Sequence, residues 1–150
     1  MPNQCPAAVV DPLAATVAIF IRDTSVIEAV ELSNLDSGGS SIDCERMNGA
    51  LLDAYKWLQS EKLLLPDVCK QVIDMNLSRW MVVVARYFLD NIRRRPDVTA
   101  DYEIVRTALQ DLHKVKASSG NSILYSQISA TFGKTPVWTQ KSLEQYRKQM

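Results

Sequence analysis

Residues 67–95 read DVCKQVIDMNLSRWMVVVARYFLDNIRRR, and between Leu77 and Leu89 the segment is apolar nearly all the way round. Three consecutive valines, Val82 to Val84, are strand-like by propensity. The length of the surrounding pattern and its flanks favour helix. A helix without a polar face belongs at the centre of a domain, covered on several sides. Pro66 and Asp67 give it a start. Arg93-Arg94-Arg95 followed by Pro96 give it an end, with cations at the negative pole of the helix dipole.

The flanking segments supply the cover. Upstream, Ser41 is a candidate cap for IDCERMNGALLDAYKWLQSEK, in which Met47, Leu51, Ala54 and Leu58 line one face. The stretch from Ile42 to Ser60 makes a helix about 28 Å long. Leu63 to Pro66 connect it to the central helix. Downstream, TADYEIVRTALQDLHKVK opens at Thr99 and presents Tyr102, Val105, Leu109 and Leu112. Nearer the start, Asp11-Pro12 reads as a helix N-terminus with Leu13, Val17 and Phe20 at helical spacing. Val26, Ile27 and Val30 suggest a further short helix. Ser33 to Ser41 form a loop, with Gly38-Gly39 as its flexible point. The expected fold is all-α, an antiparallel helical bundle over residues 1–117 with an N-terminal extension.

Residues 118–150 differ in character. Ile123, Tyr125, Ile128, Ala130 and Phe132 partly alternate, which suits an extended arm, and Thr139 can cap a short terminal helix. The run ATFGKTPVW places Phe132 and Trp138 in a segment broken by Gly133 and Pro136. Large aromatics there need apolar cover. Tyr125, Phe132, Trp138, Leu143, Tyr146 and Arg147 are therefore the candidate partner-binding residues, because Trp, Tyr and Arg dominate interface energies. Burying Phe132 or Trp138 on a partner contributes about 2–3 kcal/mol each. The alternative is that the arm folds back on its own bundle.

At 150 residues the chain is one domain's worth, with Lys plus Arg equal to Asp plus Glu. Balanced charge gives no general case for nucleic acid or an anionic membrane. The charge is unevenly spread: residues 1–45 carry seven carboxylates against Arg22 alone, and the last residues are basic. Such a subunit can attract copies head to tail; solvated faces are the plainer reading. Cys5, Cys44 and Cys69 are odd in number and widely spaced. That pattern argues against a disulfide framework or zinc site and suggests a reducing setting. The first residues lack the basic region of a signal peptide, and no apolar run approaches a membrane span. The expectation is a protein of the cytoplasm, or of a particle assembled there.

Catalytic signatures are missing. His113 is the single histidine and lacks the partners a catalytic or metal role needs. The acid pairs Asp101 with Glu103 and Asp36 with Asp43 read as solvated. Neither a Walker loop nor a Gly-x-Ser-x-Gly elbow occurs, so the expectation is a non-enzyme with no cofactor and no metal. Arg93 to Arg95 and the basic tail support one alternative function, a small helical nucleic-acid-binding regulator.

Three stretches together resemble one family. Ala50-Leu51-Leu52-Asp53-Ala54 with Tyr55, Leu58 and then Leu65-Pro66 resembles the helix-and-proline segment of tailed-phage head–tail connector proteins (adaptors, or head-completion proteins). Ala85-Arg86-Tyr87-Phe88-Leu89 resembles the central helix of that family, and Asp101-Tyr102-Glu103, Ala108-Leu109 and Asp111-Leu112 its last bundle helix. The resemblance covers roughly residues 12–117. Where the family often has an Arg-Tyr pair before the proline, this chain has Glu61-Lys62-Leu63. The resemblance implies a structural virion protein of the neck, assembled in the host cytoplasm. Such a protein forms a ring, commonly a dodecamer, below the portal protein, extends the DNA channel without sequence-specific binding, and docks tail or neck proteins. It carries no catalytic residues.

Overall fold

The computed structural model describes residues 5–118, so the arm and its candidate residues Tyr125, Phe132, Trp138, Leu143, Tyr146 and Arg147 lie outside the described residues. The described residues form an all-α bundle: α1 (Val17–Asp23), α2 (Val26–Ser33), α3 (Cys44–Leu63), α4 (Asp67–Leu89) and α5 (Pro96–Ser118). The centre is α4, which packs against each of the other four helices. Trp80, Met81, Val82, Val84 and Ala85 are all buried, a succession that one-sided cover could not produce. The apolar girth of the sequence is thus used as expected.

Both long partners run antiparallel to α4. The end of α3 meets the beginning of α4 through Lys62 and Asp74, at 2.5 Å. The beginning of α4 meets the end of α5, where the Cys69 thiol lies 4.0 Å from the Leu112 carbonyl. Met47, Ala50, Leu51, Ala54 and Leu58 fill the α3 side of the core. Val105, Ala108, Leu109, Leu112 and Val115 fill the α5 side, with Tyr102 at its half-buried margin. Phe20 of α1, with no exposed surface, closes one end.

Several boundaries differ from the sequence reading, each because a local side chain wins. Asp11 does not start α1. Its carboxylate accepts from Leu13 N–H at 2.9 Å and its carbonyl from Ala14 N–H at 3.0 Å, making a single turn. The helix begins after Thr16, whose hydroxyl accepts from Ile19 N–H. Asp43, not Ser41, caps α3 by accepting from Arg46 N–H. The Gly38-Gly39 loop is laced rather than open: Asn34 donates to the carbonyls of Val30 and Ser41. Gly38 takes φ 68°, and a Cβ on Gly39 would lie 2.4 Å from the Asn34 side chain.

The end of α4 is the largest correction. The helix stops at Leu89, ahead of the arginine triplet, and α5 opens at Pro96 rather than Thr99. Asp90 is buried, and its carboxylate accepts from Arg95 N–H at 2.6 Å, drawing the chain into a tight corner. Pro96 at the first helical position and Asp97 in the first turn then favour α5. Arg94 absorbs the reversal with φ 55°.

The cysteine expectation also fails. Cys5 and Cys44 form a disulfide with Cα atoms 5.5 Å apart, while Cys69 is free and buried. An odd count is compatible with one bridge, and the packing of the N-terminal segment on α3 brings together residues that no local spacing links. No helix among the described residues is long and apolar enough to cross a membrane.

Candidate functional site

At the α4–α5 corner, four acids and three arginines converge. Arg86, near the end of α4, donates to Glu28 of α2 at 2.9 Å and to Asp101 of α5 at 3.2 Å. Arg95 also reaches Glu28, and it binds Asp97 at 2.8 Å. Arg93 pairs with Glu31, one turn beyond Glu28 on α2. Glu28 and Arg86 are largely sealed, with side chains 14% and 13% exposed, so water screens their attraction weakly. Hydrogen bonds to Asp97 and then Glu28 hold the Arg95 guanidinium still more firmly charged than usual. Reciprocally, Arg95 holds the Asp97 carboxyl below the usual carboxylate range. The cluster fastens the short helix α2 to the corner.

Part of the acid excess of residues 1–45 therefore meets cations of the same chain. Glu28 and Glu31 face Arg86, Arg93 and Arg95, and Asp36 accepts from Arg46 at 2.5 Å, which lowers its pKa. Asp101 and Asp36, read from the sequence as solvated, are half-exposed and ion-paired. Asp43 is a helix cap. The arginine triplet is used differently along its length. Arg93 and Arg95 bind carboxylates, and Arg94 makes the turn.

Beside Arg86 lies an open groove of about 750 Å³, with Met75, Val82 and Val83 among its apolar lining and Arg22, Arg86 and Asp101 among its charges. The rings of Trp57, Tyr102 and Tyr87 form a half-buried row. Trp57 and Tyr102 are 5.8 Å apart; Tyr102 and Tyr87 are stacked at 3.8 Å. His113 lies 2.6 Å from Glu61, a contact that joins α5 to α3. Among the described residues no group of His, Cys, Asp or Glu could hold a metal ion.

Two of the three stretches that carry the connector resemblance meet here. Arg86 and Tyr87 of the second meet Asp101 and Tyr102 of the third. In the first, Leu51, Ala54 and Leu58 are core, and Leu65 is buried at the turn. Glu28, Asp90 and Asp97, which organise the corner, carried no sequence signal of their own. Glu28 stands 58 residues from Arg86, and Pro96 reads locally as the stop of α4 rather than the start of α5. No family model, curated protein or solved structure matches this chain.

Proposed function

We propose that this protein is a head–tail connector subunit of a tailed phage, a structural component of the virion neck. Copies form a ring against the portal protein, extend the DNA channel, and give tail or neck proteins a docking surface. Residues 118–150 reach the portal or the adjacent subunit, and Tyr125, Phe132, Trp138, Leu143, Tyr146 and Arg147 make that contact. One observation carries this reading. Two of the three separate stretches that resemble the connector family meet in space, through Arg86 with Asp101 and Tyr87 with Tyr102. A continuous buried core between Ala14 and Val115 among the described residues supports it, because a ring subunit needs a stable helical body.

Co-sedimentation of the full-length chain with portal rings encoded by the same genome tests the assignment. Binding is expected, and Phe132→Ala with Trp138→Ala is expected to abolish it while the circular dichroism stays helical. Failure of the intact chain to bind portal, or equal binding by the double variant, overturns the proposal or its arm, respectively.

A further inference from the structure

Three anchors attach the N-terminal segment to a single stripe of α3. Cys5 is bonded to Cys44, the Pro6 carbonyl accepts from Asn48 Nδ2 at 2.8 Å, and Asp11 accepts from the Tyr55 hydroxyl at 2.9 Å. Cys44, Asn48 and Tyr55 are spaced by four and seven residues, so they lie along one side of the helix. From Cys44 to Tyr55 the helix advances about 16 Å, within the reach of about 20 Å that six residues have, and the segment bends at Ala8 and Val9 on the way. Residues 5–11 therefore form a strap running alongside α3 in the same direction. Beyond the strap, Ala14 and Ala15 enter the core, where Ala15 N–H donates to the Met81 sulfur at 3.3 Å.

The anchors are unequal. The inner end is fixed by core packing. At the outer end, Asn48 makes a single bond to the strap, and its Oδ1 is buried without a partner. Val10, between the anchors, is fully exposed. Cys5 and Val9 also rest half-buried against the core, so at this end the covalent bond is the strongest of a few attachments and the one that thiols can break. Both bonded cysteines are half-buried rather than sealed in the core. Cys69 is buried, and burial pushes its thiol pKa up, which keeps it out of exchange chemistry.

We infer that the Cys5–Cys44 bridge is a reversible redox latch, which holds the strap along the Cys44–Asn48–Tyr55 stripe when closed and frees its outer half when opened. The oxidant is a low-molecular-weight disulfide of the glutathione type. One cysteine thiolate attacks it, forming a mixed disulfide and expelling one small thiolate. The second cysteine thiolate attacks the mixed disulfide at the protein sulfur, forming the Cys5–Cys44 bond and expelling the second. Two electrons pass from the cysteine pair to the small disulfide, and the two cysteine protons end on the two small thiols. Reduction by the same thiols reverses both steps. The inference does not rest on the connector reading.

The test uses the full-length chain equilibrated in glutathione or in glutathione disulfide. Thiols are counted by alkylation under denaturing conditions, and subtilisin cleavage is followed within Ala7-Ala8-Val9-Val10. One alkylated thiol is expected after oxidation and all three after reduction. Cleavage in the strap is expected to accelerate about tenfold on reduction, a local opening that leaves helical circular dichroism unchanged. Cys5→Ser should cleave at the fast rate in both buffers. Three reactive thiols in both buffers, equal cleavage in both, or loss of helix on reduction would each overturn the latch, the last by making the bridge a staple of the whole fold.

Discussion

Glu28 of α2 accepts from two arginines of distant sequence, Arg86 on α4 and Arg95 just ahead of α5. It is the shared counter-ion of the corner. Removing one member of a sealed cluster leaves charge buried without compensation, which is worse than never having had the pair. Glu28→Ala is therefore expected to cost about 3 kcal/mol, at the low end for buried pairs because Arg95 retains Asp97. Urea denaturation followed by circular dichroism measures it. A loss well under 1 kcal/mol would mean that the cluster is solvated.

Acid should loosen the same region. The Asp97 carboxyl is held below its usual range by Arg95, and that of Asp36 by Arg46. A carboxyl with a folded pKa below its unfolded value contributes stability that is fully present above the unfolded pKa, about 4. The contribution is lost as pH falls through the folded pKa. Stability is expected to hold from neutrality down to about pH 4 and to decline below it. Replacing Asp97 by Asn should flatten part of that decline in a pH series of urea midpoints.

The corner itself offers a gain. Arg94 occupies the left-handed region at φ 55°, where a Cβ is unfavourable. Arg94→Gly relieves that cost but loosens the unfolded chain, so the variant should range from neutral to about 1 kcal/mol more stable. Asp90→Ala acts oppositely. It removes the acceptor for Arg95 N–H inside a buried corner and should destabilise by about 1–3 kcal/mol. Thermal unfolding of the two variants side by side gives the signs.

Core deletion at the bundle's end should be severe. Phe20 is fully buried on a helix of seven residues, too short to persist without its packing. Phe20→Ala is expected to cost about 3–5 kcal/mol. Enhanced proteolysis at Arg22 should accompany the loss, because α1 would detach before the long helices melt.

The disulfide joins positions 39 apart in the sequence, and on the chain-entropy model a loop of that size is worth about 4 kcal/mol. Reduction is expected to lower the urea midpoint by less than this, because the strap freed on reduction gains some of the same freedom in the folded chain. An unchanged midpoint would mean that the two gains cancel.

Periodicity alone made the three long helices and their core faces legible. The α3 stripe Met47, Leu51, Ala54 and Leu58 is buried as its spacing required, and so are Val105, Leu109 and Leu112 on α5. The girth of α4 announced its central place. Such features are local: burial of an apolar residue is written in the repeat of its own helix. The helix ends were less legible, since competing caps such as Ser41 and Asp43 look alike until the chain direction is known.

What only the tertiary structure decided is which distant groups meet. The triplet Arg93 to Arg95 looked like a helix terminus or a phosphate site. Folding gave it Glu28, Glu31 and Asp97 as partners and a turn at Arg94. The cysteines looked unpaired until the strap ran along α3 and brought Cys5 to Cys44. Hydrophobic burial follows from composition at short range, whereas ion pairs and disulfides require two side chains to arrive at one point. That arrival depends on how the helices stack.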